Sequence, residues 1–248
     1  MRTSVALPLR STVAMILALA LTFATDNFVY AQQVTVSGRV DVAKSGKKTP
    51  GDNSSVVVWL TPVGRSVISK PKPTQHLRLT QKNKSFEPHV LVVPVGSIVE
   101  FPNEDPFFHN VFSLFEGKRF DLGLYESGGT RLVRFDRAGI CYIFCNIHPE
   151  MSAVVLVLDT PYYAVSDRAG QVTIPAVPPG RYILHSWHEG STDEELNSLS
   201  HEITVSETGH SFGVLHVPES NVVRLAHKNK YGRDYDNPTP VNPAYERP

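Results

Sequence analysis

The chain has 248 residues, 41% of them hydrophobic, and 24 basic side chains balance 24 acidic ones. That balance argues against nucleic acid or an anionic membrane surface as a partner. The two cysteines, Cys141 and Cys145, lie four apart in one predicted strand, a separation of about 13 Å that excludes a disulfide between them.

The chain opens like an export signal. Arg2 and Arg10 form a positive n-region before an apolar run from Thr12 to Ala24 that is shorter than the ~20 residues needed to span a bilayer. Val29-Tyr30-Ala31 places small residues at the usual cleavage positions. Residues 1–31 are therefore expected to be a cleaved signal, with Ala24 as a second cleavage position and an uncleaved anchor as the rival. No later segment is long and apolar enough to cross a membrane, so the mature chain is expected in the periplasm or otherwise exported.

Beyond residue 31 the chain reads as all-β. Val34–Val40 alternates and Ser55–Leu60 is a β-branched run, the two resembling an opening hairpin. Further predicted strands are His89–Val95, Ser97–Phe101, Thr130–Phe135, Cys141–Phe144 and Ala153–Leu158, then Gln171–Ile174, Arg181–Trp187, His201–Val205 and Ser211–Val217. Gly and Pro punctuate the gaps at the spacing of sandwiches and barrels. Ser191–Leu199 suits a short helical stretch with a Ser/Thr cap. The tail, 219–248, has no apolar period and is expected to be extended or disordered, or laid along the surface.

Asp167-Arg-Ala-Gly170 precedes a strand, and Val177-Pro-Pro-Gly-Arg-Tyr182 leads into the next. This pair resembles the turns of the carboxypeptidase regulatory-like (transthyretin-like) sandwich family. The resemblance implies a small Ig/transthyretin-like sandwich in two parts, 32–74 and 160–218, interrupted by an insertion at 75–159.

The insertion carries the chemistry. Cys145-Asn-Ile-His148-Pro-Glu-Met151 offers a thiolate, an imidazole and a thioether at C-x2-H-x2-M, and His109 stands upstream. A soft thiolate, two imidazoles and a weak axial sulfur form the donor set used for blue copper. An exported protein that keeps an unpaired thiol has a use for it, and metal ligation is one. Taken singly, each residue also has an ordinary reading: a buried thiol, a core methionine, a surface histidine.

Val93–Phe101, the Asn-containing loop Phe101-Pro-Asn-Glu-Asp105, His109-Asn110, and Ala138–Cys145 leading into the donor loop resemble the cupredoxin family, the plastocyanin and amicyanin group. The loop has amicyanin's short spacing, with a proline after its histidine. The likeness implies a Greek-key cupredoxin β-sandwich holding one copper ion in a type 1 site. His109, Cys145, His148 and Met151 would be its ligands, with Asn110 hydrogen-bonding next to the thiolate. It also implies one-electron transport, with redox partners docking at the His148 edge near Ile147 and Pro149. Cys141 departs from the family pattern, which has a tyrosine there. It is read as a small core residue, with a binuclear centre bridged by both cysteines as the alternative.

The remaining histidines are not expected to form a second centre, with a site around His185 and His188 as the less favoured alternative. His185 and His188 differ in strand parity, His89 reads as structural, and Tyr182 and Trp187 read as core or interface residues. The expectation is a copper electron carrier and not an enzyme. Rival readings are a copper-delivery protein without an electron-transfer role, or an adhesion or carbohydrate-binding sandwich with a structural copper.

Overall fold

The computed structural model describes residues 33–44, 52–64, 71–74, 76–114, 118–220 and 227–235. The expected export signal lies outside the described residues, as do most of the tail and Gln75 at the insertion boundary. No helix among the described residues is long and apolar enough to cross a membrane.

Among the described residues the chain is all-β apart from one short helix. Its strands are β1 (Val34–Lys44), β2 (Val57–Pro62), β3 (Leu77–Arg78), β4 (Thr80–Lys82), β5 (Ser85–Glu87), β6 (Val90–Pro94), β7 (Ser97–Pro102), β8 (Val111–Ser113) and β9 (Phe120–Asp121). They continue with β10 (Thr130–Phe135), β11 (Gly139–Cys145), β12 (Ser152–Leu158), β13 (Tyr163–Val165), β14 (Gln171–Val177), β15 (Gly180–Trp187), β16 (His201–Val205) and β17 (His210–Glu219). The helix α1 (Asp193–Leu199) starts where the Ser/Thr cap predicts. Thr192 Oγ1 accepts from the Glu195 N–H at 3.3 Å, and the Glu195 carboxylate accepts from the Thr192 N–H at 2.8 Å. This reciprocal box satisfies donors that a helix start leaves open.

Strand pairing separates the ends of the chain from its middle. The terminal strands form two sheets, β14-β1-β17 and β13-β2-β15-β16. The intervening strands pair only among themselves within the described residues, as β10-β7-β3, β6-β12-β11-β8-β9 and β4-β5. The expected opening hairpin does not form. β1 pairs with β14 and β17, whereas β2 pairs with β13 and β15. The physical reason is that Val36, Val40 and Val42 of β1 and Val57, Val58 and Leu60 of β2 all bury in one core. Two apolar strand faces closing on each other make opposite layers of a sandwich, not neighbours in a sheet.

β12 decides how the two halves meet. Six of its seven residues are buried. Val154, Leu156 and Leu158 face the core shared with the terminal sheets, while Ala153, Val155 and Val157 face the core that contains Cys145. Side chains alternate across a strand, so a run apolar at every position has a core on each side. β6 repeats the pattern, with Val92 in one core and Val93 in the other.

The Asp167–Gly170 turn locks the terminal sheets. Asp167 Oδ1 accepts from the Gln171 N–H at 2.8 Å, and the Gly170 carbonyl accepts from the Val40 N–H at 2.8 Å. Gly170 has φ +80°, and a Cβ there would lie 2.1 Å from the Val40 carbonyl oxygen. Gly170→Ala is therefore expected to lower stability by about 2–4 kcal/mol. Gly213→Ala, at φ +71° with open space around it, is expected to cost only about 1 kcal/mol. Chemical denaturation of both variants measures the difference.

Candidate metal centre

β11 delivers the thiol. Cys141, Ile143 and Cys145 share the face turned into the inner core, and Cys145 ends the strand fully buried. The chain then turns tightly: the Met151 N–H donates to the His148 carbonyl at 3.1 Å, and the Cys145 N–H donates to the Met151 carbonyl at 3.2 Å. Alongside, β8 places Val111 opposite Cys145. His109 lies two residues earlier, held by paired backbone bonds to Tyr125 at 3.1 and 3.0 Å. The Asn146 N–H donates to the Asn110 carbonyl at 2.8 Å, tying the residues after Cys145 and His109 together.

This layout brings three donors into one cluster. Cys145 Sγ lies 3.6 Å from His109 Nδ1 and 3.5 Å from His148 Nδ1, and the two Nδ1 atoms are 3.2 Å apart. Metal bonds of about 2.0 Å to nitrogen and about 2.3 Å to sulfur, at tetrahedral angles, would separate their donors by about 3.3–3.6 Å. The triangle fits one ion with a further position open to a fourth ligand. Met151 is fully buried in the same core as Cys145. Among the described residues this is the one group of three or more metal-ligating His, Cys or carboxylate side chains.

Asp105, which the sequence alone does not single out, orients His109. Its Oδ2 accepts from His109 Nε2 at 2.9 Å, with both side chains buried. A carboxylate only accepts, so Nε2 carries the ring proton and Nδ1 keeps a free lone pair toward Cys145. Burial opposes the charge on Asp105. The Lys84 N–H, the His109 ring and the Asn83 N–H outweigh it and hold the carboxyl below its ordinary value of 3.8. Asn103 Oδ1 accepts the Asp105 N–H at 3.0 Å, and its amide donates to the Phe107 carbonyl at 2.8 Å. The only sequence trace of this arrangement is the i, i+4 spacing of Asp105 and His109.

Burial pushes the Cys145 thiol up, while the backbone N–H groups of Asn110, Ile147 and His148 pull it down. Asn110 thus reaches the sulfur through its backbone, and its side-chain amide donates to Asp121 at 2.6 Å. Burial also lowers the pKa of His148, aided by the neighbouring His109, so its imidazole stays neutral over a wider range. A neutral ring is the form that ligates. Phe107 packs against the rings of His109 and His148, with centroids 5.3 and 5.4 Å away. Beyond them Phe108 is 51% exposed and Ile147 43%.

Cys141 lies outside the cluster. It sits mid-strand opposite Val155, and burial pushes its thiol up to about 11. Both cysteines are free. The remaining candidates are engaged elsewhere: His89 contacts the Ser152 carbonyl at 3.1 Å and Glu189 at 2.6 Å, and His185 stacks on Trp59 at 5.1 Å. Tyr182 and Trp187 are core residues.

No protein-family model matches the sequence, and no curated protein matches it. Solved structures do show similarity. One is a purple cupredoxin from Nitrosopumilus maritimus, 23% identical over 33% of this chain and 99% of that one, with a TM-score of 0.30. A second is the copper-containing nitrite reductase NirK from Thermus scotoductus SA-01, 27% identical over 40% of this chain and 25% of that one, with a TM-score of 0.32. A third is a reduced amicyanin variant, 22% identical over 37% of this chain and 97% of that one, with a TM-score of 0.31.

The two carboxyls at the site make acid stability predictable in sign. Asp105 and Asp121 are both held below 3.8 in the folded protein; burial opposes this at Asp121 too, and Lys230, Asn110 and the Gly123 N–H outweigh it. Their contribution is fully present above that value and is lost as pH falls through the depressed folded values. Asp105→Asn in the metal-free protein should cost about 2 kcal/mol near neutral pH. The gap from the parent should shrink as pH drops below about 4. Urea midpoints across that range measure it.

Proposed function

We propose that the chain is an exported mononuclear type 1 copper protein that carries single electrons and is not an enzyme. The observation behind this reading is the convergence of a buried thiol and two imidazole Nδ1 atoms within 3.2–3.6 Å of one another. With Met151 buried beside them, the donor set suits copper better than other first-row ions, because a thioether is a poor ligand for most of them. A bound copper ion would supply the one-electron couple.

The chain's own residues supply the rest. Asp105 fixes the tautomer and orientation of His109. The backbone N–H groups around Cys145 favour its thiolate form against the cost of burial. β12, buried on both faces, backs the loop and limits how far the donors can move when the charge changes. Half-buried His148, beside exposed Ile147 and Phe108, links the sulfur to the solvent-facing surface. Redox partners are proposed to dock there.

Residues 75–159 are proposed to be a cupredoxin domain inserted into a regulatory-like sandwich formed by 32–74 and 160–218. The strand pairing of the two ends supports that division. Removal of residues 1–31 on export completes the proposal. An enzyme of this type would use a second copper centre built on paired histidines, and the sequence has no His-x-His pair.

Titrating the purified protein with Cu(II) tests the proposal. One equivalent should produce an intense visible thiolate-to-copper band and a narrow-hyperfine paramagnetic spectrum, both abolished by Cys145→Ser. Absence of the band, or its survival in Cys145→Ser, overturns the assignment. Slow self-exchange with ready release of the ion would point to copper delivery instead.

A further inference from the structure

Residues 227–235 belong to the tail that the sequence suggests is extended, disordered or laid along the surface, and they form a compact turn against the donor loop. Asn229 organises the turn: its N–H donates to the Arg233 carbonyl at 2.8 Å, and its Oδ1 accepts the N–H groups of Tyr231 and Arg233 at 3.0 and 3.1 Å. The Gly232 N–H returns to the Asn229 carbonyl at 2.9 Å, at φ +73°.

The contacts of this turn fall on the immediate neighbours of the donors. Tyr235 donates its hydroxyl hydrogen to the Cys145 carbonyl at 2.8 Å, leaving its oxygen to accept from His227 Nδ1 at 3.0 Å. The His227 ring stacks on Phe144, the residue before Cys145, at 4.1 Å. The Lys230 N–H donates to Asn146 Oδ1, the residue after Cys145, at 2.9 Å. Its Nζ donates to Asp121 Oδ2 at 2.8 Å, and the other oxygen of Asp121 accepts from Asn110, the residue after His109, at 2.6 Å. One segment, more than eighty residues away along the chain, therefore holds both ligand-bearing strands.

We propose that residues 227–235 form a clasp on the metal centre, with Tyr235 and Lys230 as positioning residues. The clasp keeps the Cys145–Met151 loop closed. It slows access to the thiol and exchange of the ion, and the Tyr235 hydroxyl, its hydrogen directed at the Cys145 carbonyl, places a positive dipole end beside the site that favours the reduced ion and raises the reduction potential. The last two effects rest on the copper reading; thiol access does not. A cover with no role at the site would alter overall stability alone.

The test uses the full chain with Tyr235→Phe and, separately, Lys230→Ala. In metal-free protein, alkylation by iodoacetamide is followed by mass spectrometry at Cys145, with buried Cys141 as the internal reference. Cys145 should label about fivefold faster in Tyr235→Phe, the factor that the loss of one ordinary hydrogen bond represents, while Cys141 is unchanged. Equal labelling in parent and both variants, or parallel acceleration at Cys141, overturns the clasp. In copper-loaded protein, Tyr235→Phe should release the ion to a chelator about fivefold faster and show a lower reduction potential. If neither moves, the clasp has no role at the metal. If the parent takes up no copper, the copper reading fails, and alkylation still decides whether the loop is clasped.

Discussion

β12 has a core on each side, and the rest of the molecule is arranged around that constraint. Its even-numbered residues Val154, Leu156 and Leu158 join the terminal sheets, and Ala153, Val155 and Val157 join the inner core. Such a strand cannot shift register by one residue without exchanging the partners of every side chain. The donor loop runs from Cys145, at the end of β11, to Met151, immediately before β12. A loop spanning two strands of so closely packed a sheet has little freedom, and His109 stands against it on the neighbouring strand edge.

The buried polar side chains beside His109 are paired with little slack. Asp105 is buried but accepts two backbone N–H groups and the His109 ring. Gln81, also buried, receives the Tyr125 hydroxyl. Asn103 bridges Asp105 and the Phe107 carbonyl. Buried polar groups are tolerated when they are satisfied, and a satisfied network rigidifies what it surrounds. Here it surrounds one face of His109, leaving Nδ1 directed at the sulfur. On the other side, Asn110, Asp121 and Lys230 link the His109 strand to the C-terminal turn.

Much of this was legible in the chain. The C-x2-H-x2-M spacing and the lone His109 mark donors whose chemistry is local, and the structure brings His109, Cys145 and His148 within bonding range of a single point. The alternating patterns at Thr130–Phe135 and His201–Val205 coincide with β10 and β16. The short strands β3, β4, β5, β8, β9 and β13 were missed, because two or three residues carry too little period to register. The expected β1–β2 hairpin was wrong because apolar alternation identifies a buried face and says nothing of which strand lies alongside. Asp105 escaped notice because a carboxylate in a loop is ordinary until a buried ring is found against it. The placement of residues 227–235 leaves no mark in the sequence because their contacts are hydrogen bonds, the Lys230–Asp121 ion pair and ring contacts of His227 with Phe144 and Phe112, which need no apolar periodicity.

The sequence by itself determined the donor types, the tight loop that groups Cys145, His148 and Met151, and the β character of nearly every long segment. These are local properties, set by side-chain chemistry and by the twofold alternation of a strand. Only the tertiary structure decided which strands lie side by side, that Asp105 sets the tautomer of His109, and that Tyr235 and Lys230 close over residues so far from them along the chain. Those are long-range pairings, and their free energy comes from burial and hydrogen-bond geometry that exist only once the chain has folded.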